Sequence, residues 1–205
     1  MGCPPIKAFD FLLEDKKDLV GVEIGVLAGS HALKMLQRLD IKTLYLVDPY
    51  FQYKAGGLEW DNARHEEVAK EKLKAYKHKI KWIKATSVEA VLEFEDESLD
   101  FAYIDANHDY KFTLEDTEIW TPKVKQDGIV GGHDHVPAHP GVAKAVKEYC
   151  SKNKIEYKTK YFINKKVNVD WAFRRDGKPI EGWDIPAGNI PPKTGTPKAG
   201  TFKQI

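Results

Sequence analysis

Two hydrophobic periods alternate along the chain. Short apolar runs rich in Val, Ile, Leu and Tyr occupy residues 18–25 (DLVGVEIG), 41–48 (IKTLYLVD), 80–86 (IKWIKAT), 99–105 (LDFAYID) and 127–134 (DGIVGGHD). Between them lie 30–40 (SHALKMLQRLD), 62–79, 87–94 (SVEAVLEF), 110–125 and 141–153, where apolar residues recur at helical spacing. The first set reads as strands and the second as helices. Strands separated by helices pair in parallel, because a parallel pair needs a crossover connection. Right-handed crossovers then wind helices onto both faces of one open sheet.

The pattern changes towards the end. Residues 155–163 (IEYKTKYFI) and 166–175 (KVNVDWAFRR) face each other across Asn164 and Lys165, which predicts an antiparallel hairpin closing the sheet. A short amphipathic stretch, residues 5–16, reads as an opening helix. From Asp176 onward the text is dense in Pro, Gly and Lys, the composition of a tail that is disordered or laid along the surface. The expected organisation is one α/β domain, residues 1–175, and a tail, 176–205.

Composition narrows the class. A chain of 205 residues is long enough for one sizeable core. With 32 basic and 31 acidic residues the net charge is +1, which argues against a general electrostatic grip on nucleic acid or anionic membrane. Cys3 and Cys150 are the only cysteines and lack metal-like spacing, so a reducing compartment fits. No apolar run reaches membrane-spanning length, and the opening lacks a secretory apolar region. Ile6 stands where myristoylation wants Ser or Thr. A cytoplasmic protein is expected, with no nucleic-acid or membrane partner; a homo-oligomer is compatible with all of this.

In open α/β sheets, ligands bind beyond the carboxyl ends of the strands. The first strand runs into VEIGVLAGS, with Glu23 near its tip, Gly25 and Gly29 framing a turn, and Ser30 opening the next helix. The spacing E-x-G-x-x-x-G matches neither the dinucleotide fingerprint nor a phosphate loop. A carboxylate repels pyrophosphate but suits a cationic or hydroxyl-bearing ligand. Asp48 tips the second strand, where a carboxylate can accept both hydroxyls of a ribose, and Tyr50, Phe51 and Tyr53 follow to cover a base. Equally, Asp48 can cap a turn before Pro49. Thr86 or Ser87 can cap the next helix, and the same position can meet an adenine edge.

These stretches resemble the class I S-adenosylmethionine-dependent methyltransferases over residues 18–174. VEIGVLAGS looks like their glycine-rich first motif, with Leu27 in place of the middle glycine, LVDPY like their ribose-binding strand end, and SVEAVLEF like their adenine-side segment. The closing hairpin separates that family from dinucleotide-binding domains. The resemblance implies a Rossmann-like, mostly parallel doubly wound sheet. It also implies S-adenosylmethionine held by Glu23, Gly25, Gly29, Ser30, Asp48, Ser87 and Asp105.

Two further clusters follow apolar strands: YIDANHDY, residues 103–110, and GGHDH, residues 131–135. Asp105 ends the fourth strand; His133 and Asp134 end the fifth, its expected neighbour. Two carboxylates and an imidazole converging there make a site for a divalent cation, Mg²⁺ ahead of Zn²⁺, with His135 a more distant ligand. A plainer account has Asp105 and Asn107 capping the next helix and His133 bonding a loop carbonyl. The pattern resembles the metal-dependent O-methyltransferases that act on catechols and on the sugars of natural products. The Asp-x-x-His step, Asp105 to His108, implies a metal ligand followed by a catalytic histidine, and a neutral imidazole near its reference pKa of about 6.5 can accept a proton. The expected function is divalent-metal-assisted O-methylation of a small molecule, a sugar, phenol or natural product. The rivals are a nicotinamide-dependent oxidoreductase, disfavoured by the glycine spacing, and a non-catalytic nucleoside-binding domain. The segment FQYKAGGLEWDNARH is expected to cover the acceptor pocket, with Trp60 as a wall.

Overall fold

Parallel strands buried on both faces need near-continuous apolar sequence, and the first strand, β1 (Leu19–Ile24), meets that need with a single charged residue, Glu23. β1 pairs in parallel with β2 (Ile41–Val47) on one side and β6 (Leu99–Ile104) on the other. Beyond β2 lies β5 (Ile80–Ile83), and beyond β6 lies β7 (Val124–Gly132), both parallel. The hairpin of β8 (Lys158–Asn164) and β9 (Lys166–Arg174) closes the sheet, with β9 antiparallel to β7. The seven strands run β5-β2-β1-β6-β7-β9-β8, so the order reverses between β1 and β6. A separate small hairpin pairs β3 (Tyr53–Ala55) with β4 (Leu58–Trp60). This computed structural model describes residues 8–51, 53–55, 58–60, 62–164, 166–181 and 183.

Helices cover both faces. One face carries α1 (Ala8–Phe11), α2 (Ser30–Arg38) and α3 (Ala63–Leu73), and packs Phe9, Leu13, Met35 and Leu73 with Phe101, Tyr103 and Ala172. The other carries α4 (Ser87–Ala90), α5 (Tyr110–Trp120) and α6 (Pro140–Asn153), and packs Trp120, Val142 and Val146 with Ile104, Trp171 and Phe173. Alternate residues of β9 thus serve opposite faces, as period-two geometry requires. Among the described residues no helix is long and apolar enough to cross a membrane.

The elements differ from expectation at their ends. A short 3₁₀ turn, Thr121–Lys123, follows α5 with Pro122, which has no N–H to donate, inside it; the helix stops at Trp120 and β7 begins at Val124. α1 is shorter than the expected opening helix, and the chain continues from it by tight turns, Leu12 N–H to Phe9 and Leu13 N–H to Asp10. Residues 5–7 lie outside the described residues. The expected surface tail starts inside the fold: Ile180 and Trp183 are 6% and 2% exposed and join the core beside Phe9 and Leu13. Average composition conceals two residues with enough apolar area to dock. Residues 184–205 lie outside the described residues.

Candidate active site at the carboxyl ends of the strands

The parallel register brings the unusual residues into one row. Gly25 N–H donates to Val47, Asp105 N–H to Ile24 and His133 N–H to Ile104, each one step past a strand end. Gly25 has φ +88, and a Cβ there would stand 2.3 Å from the Asp105 carbonyl oxygen, so only glycine fits. Leu27 at φ 48, Tyr50 at φ 49 and Asp134 at φ 58 are non-glycine residues held left-handed around the same row. Such backbone costs on the order of 1–3 kcal/mol each and gathers at functional sites.

On the β1–β2 side the chain occupies its own carboxylates. Asp48 is 8% exposed; its Oδ2 accepts the N–H groups of Val26 and Leu27, both at 2.9 Å, and its Oδ1 accepts that of Tyr50 at 2.9 Å. It clasps the glycine turn to the end of β2. Tyr50 is buried, and its hydroxyl donates to the Leu27 carbonyl at 3.1 Å, with burial first and Asp48 and Glu23 next raising its pKa. Phe51, 49% exposed, presents aromatic surface beside the row; the side chains of Tyr53 and Trp60 lie outside the described residues. Glu23 is 1% exposed, with Oε1 3.3 Å from His31 Nδ1, and His31 Nε2 lies 3.1 Å from Asp10 Oδ1. Ser30 accepts from Lys72 Nζ at 2.7 Å. Ser87 accepts the Trp120 indole N–H at 2.7 Å and also hydrogen-bonds Asp116, while Thr86 caps α4 in a reciprocal box with Glu89. Glu23, Ser30, Asp48 and Ser87 therefore stand where sequence places them, with side chains engaged by the protein itself.

On the β6–β7 side, imidazoles and carboxylates meet each other. His133 Nδ1 is 3.1 Å from Asp134 Oδ2 and 4.0 Å from Asp105 Oδ1. His108 Nε2 is 3.1 Å from the same Asp134 oxygen and 3.7 Å from Asp105 Oδ1. One ligand atom from each of Asp105, His133 and Asp134 lies within 4.8 Å of the others. Burial raises the pKa of Asp134, but the hydrogen bond and charge of His133 outweigh it, and the carboxyl ends below its ordinary range. Burial lowers that of His108; Asp105, Asp134 and Asp109 together reverse this and leave it raised. His135 turns away, its ring 5.7 Å from Tyr157 and its backbone N–H on Val169. Asn107 accepts the N–H of Asp109 through its side chain, a turn just before α5 and not the helix cap of the plainer account.

Sequence reasoning missed the supports. Asp170 of β9, 1% exposed, accepts the Tyr103 hydroxyl and the Phe9 N–H, and its Oδ1 lies 3.9 Å from His133 Nε2. A charged residue inside the apolar run VNVDWAF was its visible signal. His31, Asp10 and Asp116 are likewise buried polar groups on helices, where no motif marks them.

A family profile described as a methyltransferase domain matches residues 22–135. No curated protein matches the chain by sequence. Among solved structures, an O-methyltransferase from Bacillus cereus in complex with S-adenosylhomocysteine superposes with TM-score 0.56 at 13% identity, over 75% of this chain and 73% of that one. A precorrin-6y C5,15-methyltransferase from Geobacter metallireducens gives 0.61 at 13%, over 80% and 86%. Spermidine synthase from Thermotoga maritima gives 0.60 at 15%, over 85% and 58%. At these identities the likeness is one of fold, and the three names belong to different reactions.

Proposed function

The chain belongs to the methyltransferase-domain family, and from that premise we propose that it transfers a methyl group from S-adenosylmethionine to a hydroxyl of a small molecule with the help of a divalent cation. One observation carries this reading. The glycine turn after β1 and the Asp105–His133–Asp134 group are in contact, since the Asp105 carbonyl is what excludes a Cβ at Gly25. A donor seated on the turn therefore reaches an acceptor seated at the group.

The residues fit a cation. Two carboxylates and one imidazole would supply the ligands, and Asp170, 3.9 Å behind His133 Nε2, would support the ring from outside the group. When bound, the cofactor supplies an electrophilic methyl and the cation supplies positive charge that makes a hydroxyl more acidic. The chain does the rest. The Asp48 clasp fixes the turn that receives the cofactor, and Phe51 offers an apolar face at its rim. His108 takes the hydroxyl proton, and the carboxylates of Asp134 and Asp105, which face its Nε2, stabilise the imidazolium that results. Fixed positioning of two reactants supplies much of the remaining acceleration.

Titration calorimetry with S-adenosylhomocysteine and with NAD, followed by Mn²⁺ binding read by electron paramagnetic resonance, tests the assignment. Binding of the first nucleoside and not the second, together with Mn²⁺ binding that Asp134→Ala abolishes, is expected. Mn²⁺ binding unchanged in the folded variant removes the cation from the mechanism and leaves the methyltransferase.

A further inference from the structure

His139 has no part in the reading above, yet the fold brings it to the same carboxylate. It precedes Pro140 at the start of α6, and its ring centroid lies 4.4 Å from that of His108 at a tilt of 52°. One ligand atom from each of His108, Asp134 and His139 lies within 4.8 Å of the others. This group shares Asp134 with the Asp105–His133–Asp134 group and shares nothing else.

The two sets differ in chemistry. Two carboxylates and one imidazole suit Mg²⁺ or Mn²⁺; two imidazoles and one carboxylate suit Zn²⁺ and other borderline transition metals. Geometry agrees. A tetrahedral zinc ion with ligands at about 2.0–2.2 Å holds its ligand atoms roughly 3.3 Å apart. His108 Nε2 and Asp134 Oδ2 are 3.1 Å apart. That nitrogen is shut off from solvent and, among the described residues, is without a hydrogen bond in line with any acceptor or donor. Asp134 is fixed at φ 58, which sets its carboxylate between His108 and His133. The positive end of α6 opposes a cation here, and Asp105 and Asp109, both felt by His108, offset it.

We propose that His108, Asp134 and His139 form a second cation site, selective for zinc-like ions over Mg²⁺, and that filling it takes the His108 lone pair and stops methyl transfer. The binding stands on these three residues alone; the inhibition rests on the role given to His108 above.

Co²⁺ and Zn²⁺, titrated alone, test the site without any acceptor. Four-coordinate Co²⁺ gives a strong visible band, and Zn²⁺ displaces it. In His139→Gln the band is lost and Zn²⁺ affinity falls by about tenfold or more. In Asp105→Asn both persist, and millimolar Mg²⁺ does not displace Zn²⁺ from the wild type. Circular dichroism and urea unfolding like those of the wild type show that both variants are folded. A His139→Gln protein that binds Zn²⁺ and Co²⁺ like the wild type overturns the site, as does loss of the band in Asp105→Asn alone. With saturating Mg²⁺, Zn²⁺ inhibits wild-type transfer at lower concentration than it inhibits His139→Gln; equal sensitivity overturns the switch. Failure of hydroxyl methylation itself leaves the Co²⁺ result standing, so the two readings fail separately.

Discussion

The β1–β2 tips and the β6–β7 tips carry the same kinds of side chain, and the protein uses them in opposite ways. At β1–β2, Asp48 accepts three backbone N–H groups and Glu23 faces His31, which in turn faces Asp10. At β6–β7, Asp105 and Asp134 lie against His108 and His133, and these four side chains are 15–34% exposed where Glu23, His31 and Asp10 are 5% or less. Side chains at strand tips that keep some exposure are the ones a ligand in the cleft can reach. The first pair of tips is scaffold that shapes a cradle. The second is open to a ligand, as the proposed reaction requires.

The largest effect expected from this contrast falls on His108. A positioned general base is worth about 10²–10⁴-fold, so His108→Ala lowers turnover by that factor. Binding of S-adenosylhomocysteine, measured by calorimetry, stays within a few-fold, because the cradle is built by other residues. Equal losses in turnover and in nucleoside binding would merge the two regions into one.

Asp48 supplies the opposite case. Asp48→Ala removes the acceptor of three backbone donors at once, and hydrogen bonds to a charged group are worth about 1.5–3 kcal/mol each. These bonds share one carboxylate and do not add, so a loss of about 3 kcal/mol in urea unfolding is expected. Nucleoside affinity falls with it, as the turn loosens. Asp48→Asn, which keeps an acceptor oxygen, restores part of the stability. A variant that unfolds like the wild type but no longer binds the nucleoside would make Asp48 a ligand contact and not a clasp.

Which features the sequence revealed follows from the same division. Parallel strands buried on both faces are written in continuous apolar runs, so LVGVEI and LDFAYI, and the residues just past them, can be placed from residue identity alone. That is why Gly25, Asp48, Asp105 and His133 fall in one row as expected. What a side chain does there is written elsewhere. Asp48 meets backbone N–H groups, which leave no trace in residue identity. His31 reaches Glu23 through the rotational phase of α2, Asp170 reaches Tyr103 through the register of the closing hairpin, and His139 reaches Asp134 through the path of a loop. The Pro- and Gly-rich text after Asp176 hid Ile180 and Trp183 because two anchors do not change an average.

Asp116 tests whether every buried carboxylate must belong to one region or the other. It lies on α5, 5% exposed, with a hydrogen bond to Ser87 at the start of α4. Burial is the main cause that pushes its pKa from 3.8 up to about 7; the bond to Ser87 pulls it down, and the charge of Glu115 pushes it up further. In the unfolded chain an aspartate titrates at about 3.9. Between those two values the folded protein holds one proton more than the unfolded chain, so stability falls as pH rises through that window. The contribution is fully present below about pH 4 and gone above about pH 7. A shift of about three units sets a ceiling near 4 kcal/mol; solvent relaxation around the ionised group leaves on the order of 2 kcal/mol. Asp116→Asn has no charge to bury and removes this slope. Urea unfolding should then find the variant more stable than the wild type at pH 8 by that amount, with the difference shrinking or reversing at pH 5. Parallel stability curves across that range would mean that Asp116 keeps its charge in the folded protein.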